Sequence, residues 1–197
     1  MRPSKRLFDL VLAIPGLILI SPLILLIAAA IKLSDGGPVF FRQVRVGRHG
    51  NPFRIWKFRT MKVNAGGELI TLHIDPRVTK VGRILRAFRL DELPQLFNIV
   101  EGSMSLVGPR PEVPKYVAHY TEAQRRVLEL TPGITDPAVF MVRDYRSSHA
   151  EAHDLEQLYV KEILPLKVAA SIEYAARATL LSDLVMVLRT VFGVFFR

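Results

Sequence analysis

Two adjacent carboxylates, Asp91 and Glu92, stand in the run richest in chemically capable residues, RILRAFRLDELPQLFNIVEGSMSLVGPRP over positions 83–111. Leu93, Leu96, Phe97 and Val100 fall on one face of a helix expected over 90–100, which Gly102 ends. Asp is a favoured helix N-cap, and Pro94 is acceptable in a first turn. A helix N-terminus stabilises negative charge, so Asp91 placed there would stay ionised at neutral pH, as a carboxylate nucleophile must. Arg86, Arg89 and Arg110 would surround the pair with positive charge. The residues alone also fit a plainer and commoner role, in which an Asp-Glu pair at a helix start is a cap with a solvated neighbour.

The elements that must hold this run begin with an apolar segment. Residues 10–31 carry no charge. About 22 residues at 1.5 Å each span roughly 33 Å, enough to cross a ~30 Å hydrocarbon core. Pro15-Gly16 and Ser21-Pro22 interrupt the segment, and an interior Pro removes a backbone hydrogen bond. The Ser21 hydroxyl can bond back to a freed carbonyl and make a bend tolerable in lipid. A break at Ser21-Pro22 leaves limbs of roughly 22 and 18 Å, neither of which crosses alone. Arg2, Lys5 and Arg6 precede the segment, and Lys32, Arg42 and Arg45 follow it, so both ends prefer the cytoplasm. A kinked span, a helix that enters and leaves by one face, and a signal peptide cleaved near Ala28–Ala30 all remain open on the residues alone.

Strands are expected over 39–46 and 53–59, joined by the turn residues GRHGNP. Helices are expected over 81–88, 116–130, 153–167 and 169–177, the last two interrupted at Pro165. GPRPEVP at 108–114 reads as an extended loop, because successive prolines forbid a helix. The apolar stretch 180–197 reads as an interfacial or a buried helix. The expected fold class is α/β, mostly helical with a small β-hairpin: a membrane helix over 1–36 and a unit over 37–197 that holds the acidic pair.

Lys and Arg outnumber Asp and Glu by 27 to 18, a net charge of +9 that favours anionic partners: phosphorylated substrates, acidic lipids or nucleic acid. No dense basic block or nucleic-acid motif is present, so nucleic acid is not the expected partner. With no cysteine, disulfides and cysteine-based catalysis are excluded. His149 and His153 alone have the four-residue spacing of a helical metal pair, and no third ligand is near in sequence. Trp56 reads as packing.

The run LDELPQLFNIVEGSMSLVGPRP resembles the signature of the monotopic phosphoglycosyl transferases, which initiate bacterial exopolysaccharide, O-antigen and glycoprotein glycan assembly. KRLFDLVLAIPGLILISPLILLIAAAIKL resembles that family's membrane segment with its Ser-Pro break. GPVFFRQVRVGRHGNPFRIWKFRTM resembles the hairpin that follows, and DPRVTKVGRILR the lead-in to the acidic pair. The likeness covers residue 5 to about residue 135, and it favours the re-entrant reading of the apolar segment.

The resemblance implies a transferase that moves a sugar 1-phosphate from a UDP-sugar to polyprenyl (undecaprenyl) phosphate, and it makes 37–197 a catalytic domain with interfacial helices. It implies that Asp91 is the nucleophile, forming an aspartyl phosphosugar and releasing UMP. It implies that Glu92 is the partner carboxylate associated with Mg²⁺, that Arg86 and Arg110 are basic residues of the substrate site, and that Ser21 and Pro22 form the membrane-helix break. Lys57 and Arg59, in the KFRTM motif with Thr60, carry over as substrate-site residues. The implied location is the cytoplasmic face of the bacterial inner membrane, with lipid as a partner and a homo-oligomer left open.

A non-catalytic membrane-anchored scaffold, or a basic lipid- or nucleic-acid-binding protein, is the alternative. The likeness weakens after TPGIT, where the chain reads DPAVFMVRDYRSS; Arg143, Asp144 and Tyr145 are polar candidates there for contacting the sugar.

Overall fold

The computed structural model describes residues 1–66, 75–136, 138 and 155–195. Helix α1 (Pro3–Asp35) carries Pro at its start and ends at Gly36, whose φ of 71° is the left-handed value that glycine adopts without cost. The helix runs through Pro15 and Pro22 without a gap, so the expected break at Ser21-Pro22 is not an interruption of the helix. The local bonding explains this. Pro22 has no N–H to give the carbonyl of Ile18, four residues back, and the Ser21 hydroxyl donates to that carbonyl at 2.8 Å instead.

Only 17% of the most apolar stretch of α1 is buried, which distinguishes it from a soluble core helix; it is long and apolar enough to cross a membrane. Leu7, Ile18, Leu19, Leu25, Leu26 and Leu33 all face outward. The opposite side is rooted in the rest of the chain. Ile24, Ile27 and Ile31 pack on Phe58 and Leu85, and Ala13 packs near Ile55, Ile99 and Met104. At the base, buried Asp9 accepts the amide of Leu106, Lys5 pairs with Asp183 at 2.6 Å, and Arg6 donates to the carbonyls of Ile99 and Val100.

Strands β1 (Phe40–Val46) and β2 (Pro52–Phe58) form the expected antiparallel hairpin, with Phe40 opposite Phe58 and Val46 opposite Pro52. Alternation along β2 puts Trp56 and Phe58 on one face, where Phe40 stacks on Phe58 and meets Trp56 edge-on. The other face carries Lys57. The open edge of β2 is covered by one buried side chain: Asn98 accepts the amide of Trp56 at 2.8 Å and donates to the carbonyl of Arg54 at 3.0 Å. These two bonds satisfy backbone groups that an edge would leave bare.

Helix α2 (Lys80–Ala87) begins at Thr79, whose hydroxyl accepts from the amide of Gly82. Its first turn lies against Thr60, whose carbonyl accepts the amide of Thr79 at 3.0 Å. A Cβ at Gly82 would sit 2.1 Å from that same carbonyl oxygen, so only glycine allows this approach. A short 3₁₀ turn (Leu90–Glu92) and helix α3 (Gln95–Glu101) replace the single helix expected over 90–100. Gly102 ends α3 in the left-handed region, as expected.

Two three-residue strands, β3 (Ser105–Val107) and β4 (Gly133–Thr135), pair in parallel. The segment expected as one helix over 116–130 is instead α4 (Pro114–Val117), α5 (Glu122–Arg125) and a 3₁₀ turn, with Thr121 and Gln124 forming a capping box at the start of α5. Helix α6 (Leu155–Leu158) passes through a π turn (Tyr159–Ile163) into α7 (Leu164–Arg177), so Pro165 does not stop the helix. Helix α8 (Leu180–Phe195) exposes Leu181, Val185, Leu188 and Phe192, while Asp183 is buried.

Gly82→Ala is expected to lose about 1–3 kcal/mol of stability, the range for forcing an added methyl into a packed contact. Thermal unfolding in detergent micelles measures it.

Candidate active site

The acidic pair is aimed by a strained turn. Arg89, directly after α2, adopts φ 55° and ψ 19°, a left-handed conformation uncommon for a residue with a Cβ. The chain then forms the 3₁₀ turn, with Leu90 and Leu93 packed on the cluster that holds Phe58 and Leu85. Those two anchors leave Asp91 and Glu92 facing Lys57 of β2 and the GPRP loop. Asp91 therefore does not cap α3; its N-cap is Pro94, which makes no side-chain cap bond. The cations nearby, rather than a helix end, supply the positive field.

Glu92 is buried and held from three directions. Arg110 grips it with both terminal nitrogens, Nη1 at 3.1 Å from Oε2 and Nη2 on Oε1. Lys57 Nζ donates to Oε1 at 2.9 Å, and Arg89 Nη2 donates to Oε2 at 3.4 Å. Each carboxylate oxygen thus carries two cationic donors. Burial opposes the charge of Glu92, but Arg110 and Lys57 outweigh it and hold the carboxyl well below the usual range. Burial pushes the Lys57 ammonium down, against the pull of Glu92.

Asp91 is half-buried and makes no hydrogen bond or ion pair among the described residues. Burial and then the charge of Glu92 push its carboxyl above the ordinary aspartate value; Lys57, Arg86 and Arg110 pull the other way. Arg86 is fixed by Nε donating to the Thr60 hydroxyl at 2.9 Å. The site is a carboxylate with both oxygens unengaged, next to a second carboxylate that gathers cations around it. Such an arrangement neutralises an anionic phosphorus centre while a carboxylate approaches it.

Asp91, Glu92, Arg86, Arg110 and Lys57 are brought together. Arg59 is not. Its guanidinium pairs with Asp35 through both terminal nitrogens and donates to the carbonyls of Pro38 and Met61, tying the end of α1 to the hairpin. Ser21 and Pro22 stay within α1 and take no part in the site. Arg143, Asp144, Tyr145, His149 and His153 lie outside the described residues.

Among the described residues no group of three or more acidic or histidine side chains gathers as a metal cage. The pair does fit a Mg²⁺ that takes most of its oxygens from a diphosphate and water, because Asp91 is open. Glu92 would join such a shell only by releasing one of its cationic partners. Sequence reasoning missed Asn98, which docks α3 on β2 and so sets Glu92 beside Lys57. It also missed Asp136, which accepts the amide of Arg110 at 3.0 Å.

A membrane-length helix rooted beside a cation-flanked acidic pair suits an enzyme that handles phosphorylated substrates at a membrane. Residues 1–197 match the family model described as bacterial sugar transferase, and the chain belongs to that family. It is 41% identical over 200 residues to the UDP-glucose:undecaprenyl-phosphate glucose-1-phosphate transferase of Escherichia coli, a match covering 97% of this chain and 40% of that protein. A protein of the same name in Caulobacter vibrioides is also 41% identical over 200 residues, covering 95% of this chain and 68% of that one. The uncharacterized sugar transferase EpsL of Bacillus subtilis is 50% identical over 131 residues, 66% of this chain and 65% of that protein. The chain therefore matches less than two thirds of the length of the Escherichia and Bacillus relatives.

The two carboxylates carry opposite consequences for stability. Asp91 has a raised folded-state pKa, so its charge costs stability at neutral pH, and Asp91→Asn should raise the melting temperature. Glu92 has a depressed one, so its contribution is present above the ordinary glutamate range and is lost as pH falls through the folded value. Glu92→Gln strands Arg110 and Lys57 and should cost about 3 kcal/mol at pH 7. Thermal unfolding of both variants at pH 7 checks the two signs.

Proposed function

We propose that this chain transfers a sugar 1-phosphate from a UDP-sugar to polyprenyl (undecaprenyl) phosphate, through a covalent intermediate on Asp91. The observation that carries the proposal is the unengaged Asp91 carboxylate beside a glutamate that fixes Arg110 and Lys57. The names of the Escherichia and Caulobacter relatives support the donor and acceptor classes. A related Bacillus subtilis protein, 42% identical over 118 residues, is named for putative N-acetylgalactosaminyl 1-phosphate transfer, so the donor is proposed only as a UDP-sugar.

An Asp91 oxygen attacks the phosphorus that bears the sugar. The bond from that phosphorus to the oxygen bridging the two phosphates breaks, UMP departs with the electron pair, and an acyl phosphate joins Asp91 to the sugar phosphate. An oxygen of the polyprenyl phosphate then attacks the same phosphorus, frees the Asp91 carboxylate and yields the polyprenyl diphospho-sugar. Dividing the reaction lets the water-soluble product leave before the lipid phosphate attacks. Arg86, Arg110 and Lys57 stabilise charge on the phosphoryl oxygens in both steps.

Mg²⁺ is the proposed cofactor, held at the Asp91–Glu92 pair by the donor's phosphates, and it would supply neutralisation of the diphosphate charge. The exposed apolar side of α1 and the row Leu181, Val185, Leu188 and Phe192 on α8 support a membrane seat, with α8 in the interface. A re-entrant course of α1 rests on the family resemblance alone and would be a bend within the unbroken helix. The basic residues at both ends of the apolar segment favour the cytoplasmic face of the inner membrane.

Asp91→Asn should lower UMP release by ~10³-fold or more in an assay with a panel of UDP-sugars and undecaprenyl phosphate; near-normal turnover would remove Asp91 as nucleophile. Glu92→Gln should weaken turnover and its Mg²⁺ dependence together. It should also move the acidic limb of kcat/KM to lower pH. The charge of Glu92 helps raise Asp91, and its loss also frees Arg110 and Lys57 to pull Asp91 down. A limb that stays in place would contradict the coupling of the pair.

A further inference from the structure

The loop that carries Arg110 is held from behind by residues the reaction does not use. Its strand side is fixed by β3 and β4, where the amide of Gly108 donates to Thr135 and that of Gly133 to Pro109. A Cβ on Gly133 would lie 2.1 Å from the Gly108 amide nitrogen, so the two segments touch backbone to backbone. Arg45 of β1 donates to the carbonyl of Pro111 at 3.0 Å, and the amide of Val46 donates to that of Glu112 at 2.9 Å.

Two buried carboxylates flank Arg110 in this scaffold. Asp136 accepts the Arg110 amide on Oδ2 at 3.0 Å. Glu112, two residues on, accepts from Lys167 and from the Tyr159 hydroxyl; Lys167 also donates to that hydroxyl at 2.8 Å. Helix α7 reaches both carboxylates. Lys167 meets Glu112, and Ser171, one turn later on the same face, donates to Asp136 Oδ1 at 3.1 Å.

The π turn aligns the third member. Tyr159 and Lys167 are eight residues apart, roughly 80° out of register in a regular α-helix. The amide of Leu164 bonds five residues back to Tyr159, and the residue absorbed in that turn brings the pair to within about 20° of one face. The space beside these groups is about 30 Å³, lined in part by Arg110, Glu112, Asp136 and Lys167. It has room for a water or two but not for a sugar nucleotide. The contact of Glu112 and Asp136 with the acidic pair therefore runs through the loop that carries Arg110.

We infer that Lys167, with Tyr159 and Ser171, positions Arg110 over Glu92 by clamping Glu112 and Asp136, so that the C-terminal third of the chain sets the geometry of the phosphoryl site. The catalytic part of this inference rests on the transferase reading above. Burial works against the charge of Glu112, but Lys167 and Tyr159 keep its carboxyl below the usual range, as a clamp on an ionised group requires.

The test is a double-mutant cycle on the full chain in detergent or lipid nanodiscs, with UMP release as the readout. Lys167→Met should lower kcat by roughly 10- to 100-fold, the loss expected when a charged clamp shifts by an ångström or less. Lys167→Arg should recover most of it. In an Arg110→Lys background Lys167→Met should cost little more, because both changes act on one contact. Losses that multiply, or a failed rescue by Lys167→Arg, would overturn the inference.

Tyr159→Phe keeps the ring and should show a smaller loss with the same non-additivity, which serves if Lys167→Met does not fold. Amide exchange on the same proteins is independent of turnover. Val46 and Arg110, whose amides donate to the main-chain carbonyl of Glu112 and to the Asp136 carboxylate, should exchange about tenfold faster in Lys167→Met with β2 unchanged. Unchanged exchange at both would defeat the positioning role. A wild-type chain with no turnover would defeat the transferase reading and leave exchange to decide this one.

Discussion

The buried carboxylate of Glu92 is the constraint around which the site is built. A charge taken out of water is tolerated only when cations and hydrogen bonds replace its hydration, and here Arg110 and Lys57 do so with help from Arg89. Each cation arrives from a different place: Lys57 from β2, Arg110 from the loop after β3, and Arg89 from the left-handed residue between α2 and the 3₁₀ turn. Satisfying one glutamate thus fixes three segments in register. The same arrangement leaves its neighbour, Asp91, near Lys57, Arg86 and Arg110 but with no hydrogen-bond or ion-pair partner of its own among the described residues. A carboxylate is prepared for attack by what is done to the residue beside it.

The membrane helix is joined to this centre by polar contacts as well as by apolar packing. Arg59 locks the end of α1 through Asp35, directly beyond the strand that carries Lys57. At the other end Arg6 caps the carbonyls of Ile99 and Val100, in the helix that follows the acidic turn. Helix α1 therefore touches both flanks of the site. A lipid-borne acceptor would meet Asp91 on a surface whose height relative to the bilayer is set by these anchors.

Local chemistry made much of this legible in the sequence. Turn residues between two apolar runs specified the hairpin, and Gly102 marked the end of α3. The acidic pair and Arg86, Arg110 and Lys57 were readable from residue type and from a resemblance to a known family. The misplaced features depended on partners distant in the chain. Arg59 carries over with the KFRTM motif as a substrate-site residue, and its pairing with Asp35, 24 positions earlier, has no local sign. The Ser21-Pro22 step is local by contrast: the Ser21 hydroxyl takes the carbonyl that Pro22 frees, as expected, and the helix continues through it. Strands β3 and β4 are too short for alternation to show, and the single helix expected over 90–100 gave way to the turn that aims Asp91. Asn98, Asp136 and Lys167 carry no local signal, since each acts on backbone or charge that only the fold brings near.

The central claim is that a side chain at position 91 becomes covalently bonded to the sugar phosphate, and mass measurement reads that bond directly. The purified chain is incubated with its UDP-sugar and no acceptor, quenched in acid and digested. The account predicts that the peptide holding Asp91 gains the mass of one sugar phosphate, that the gain disappears when polyprenyl phosphate is added, and that Asp91→Asn never shows it. Robust turnover with an unmodified Asp91 peptide at every quench time, or an adduct on another residue, would contradict it.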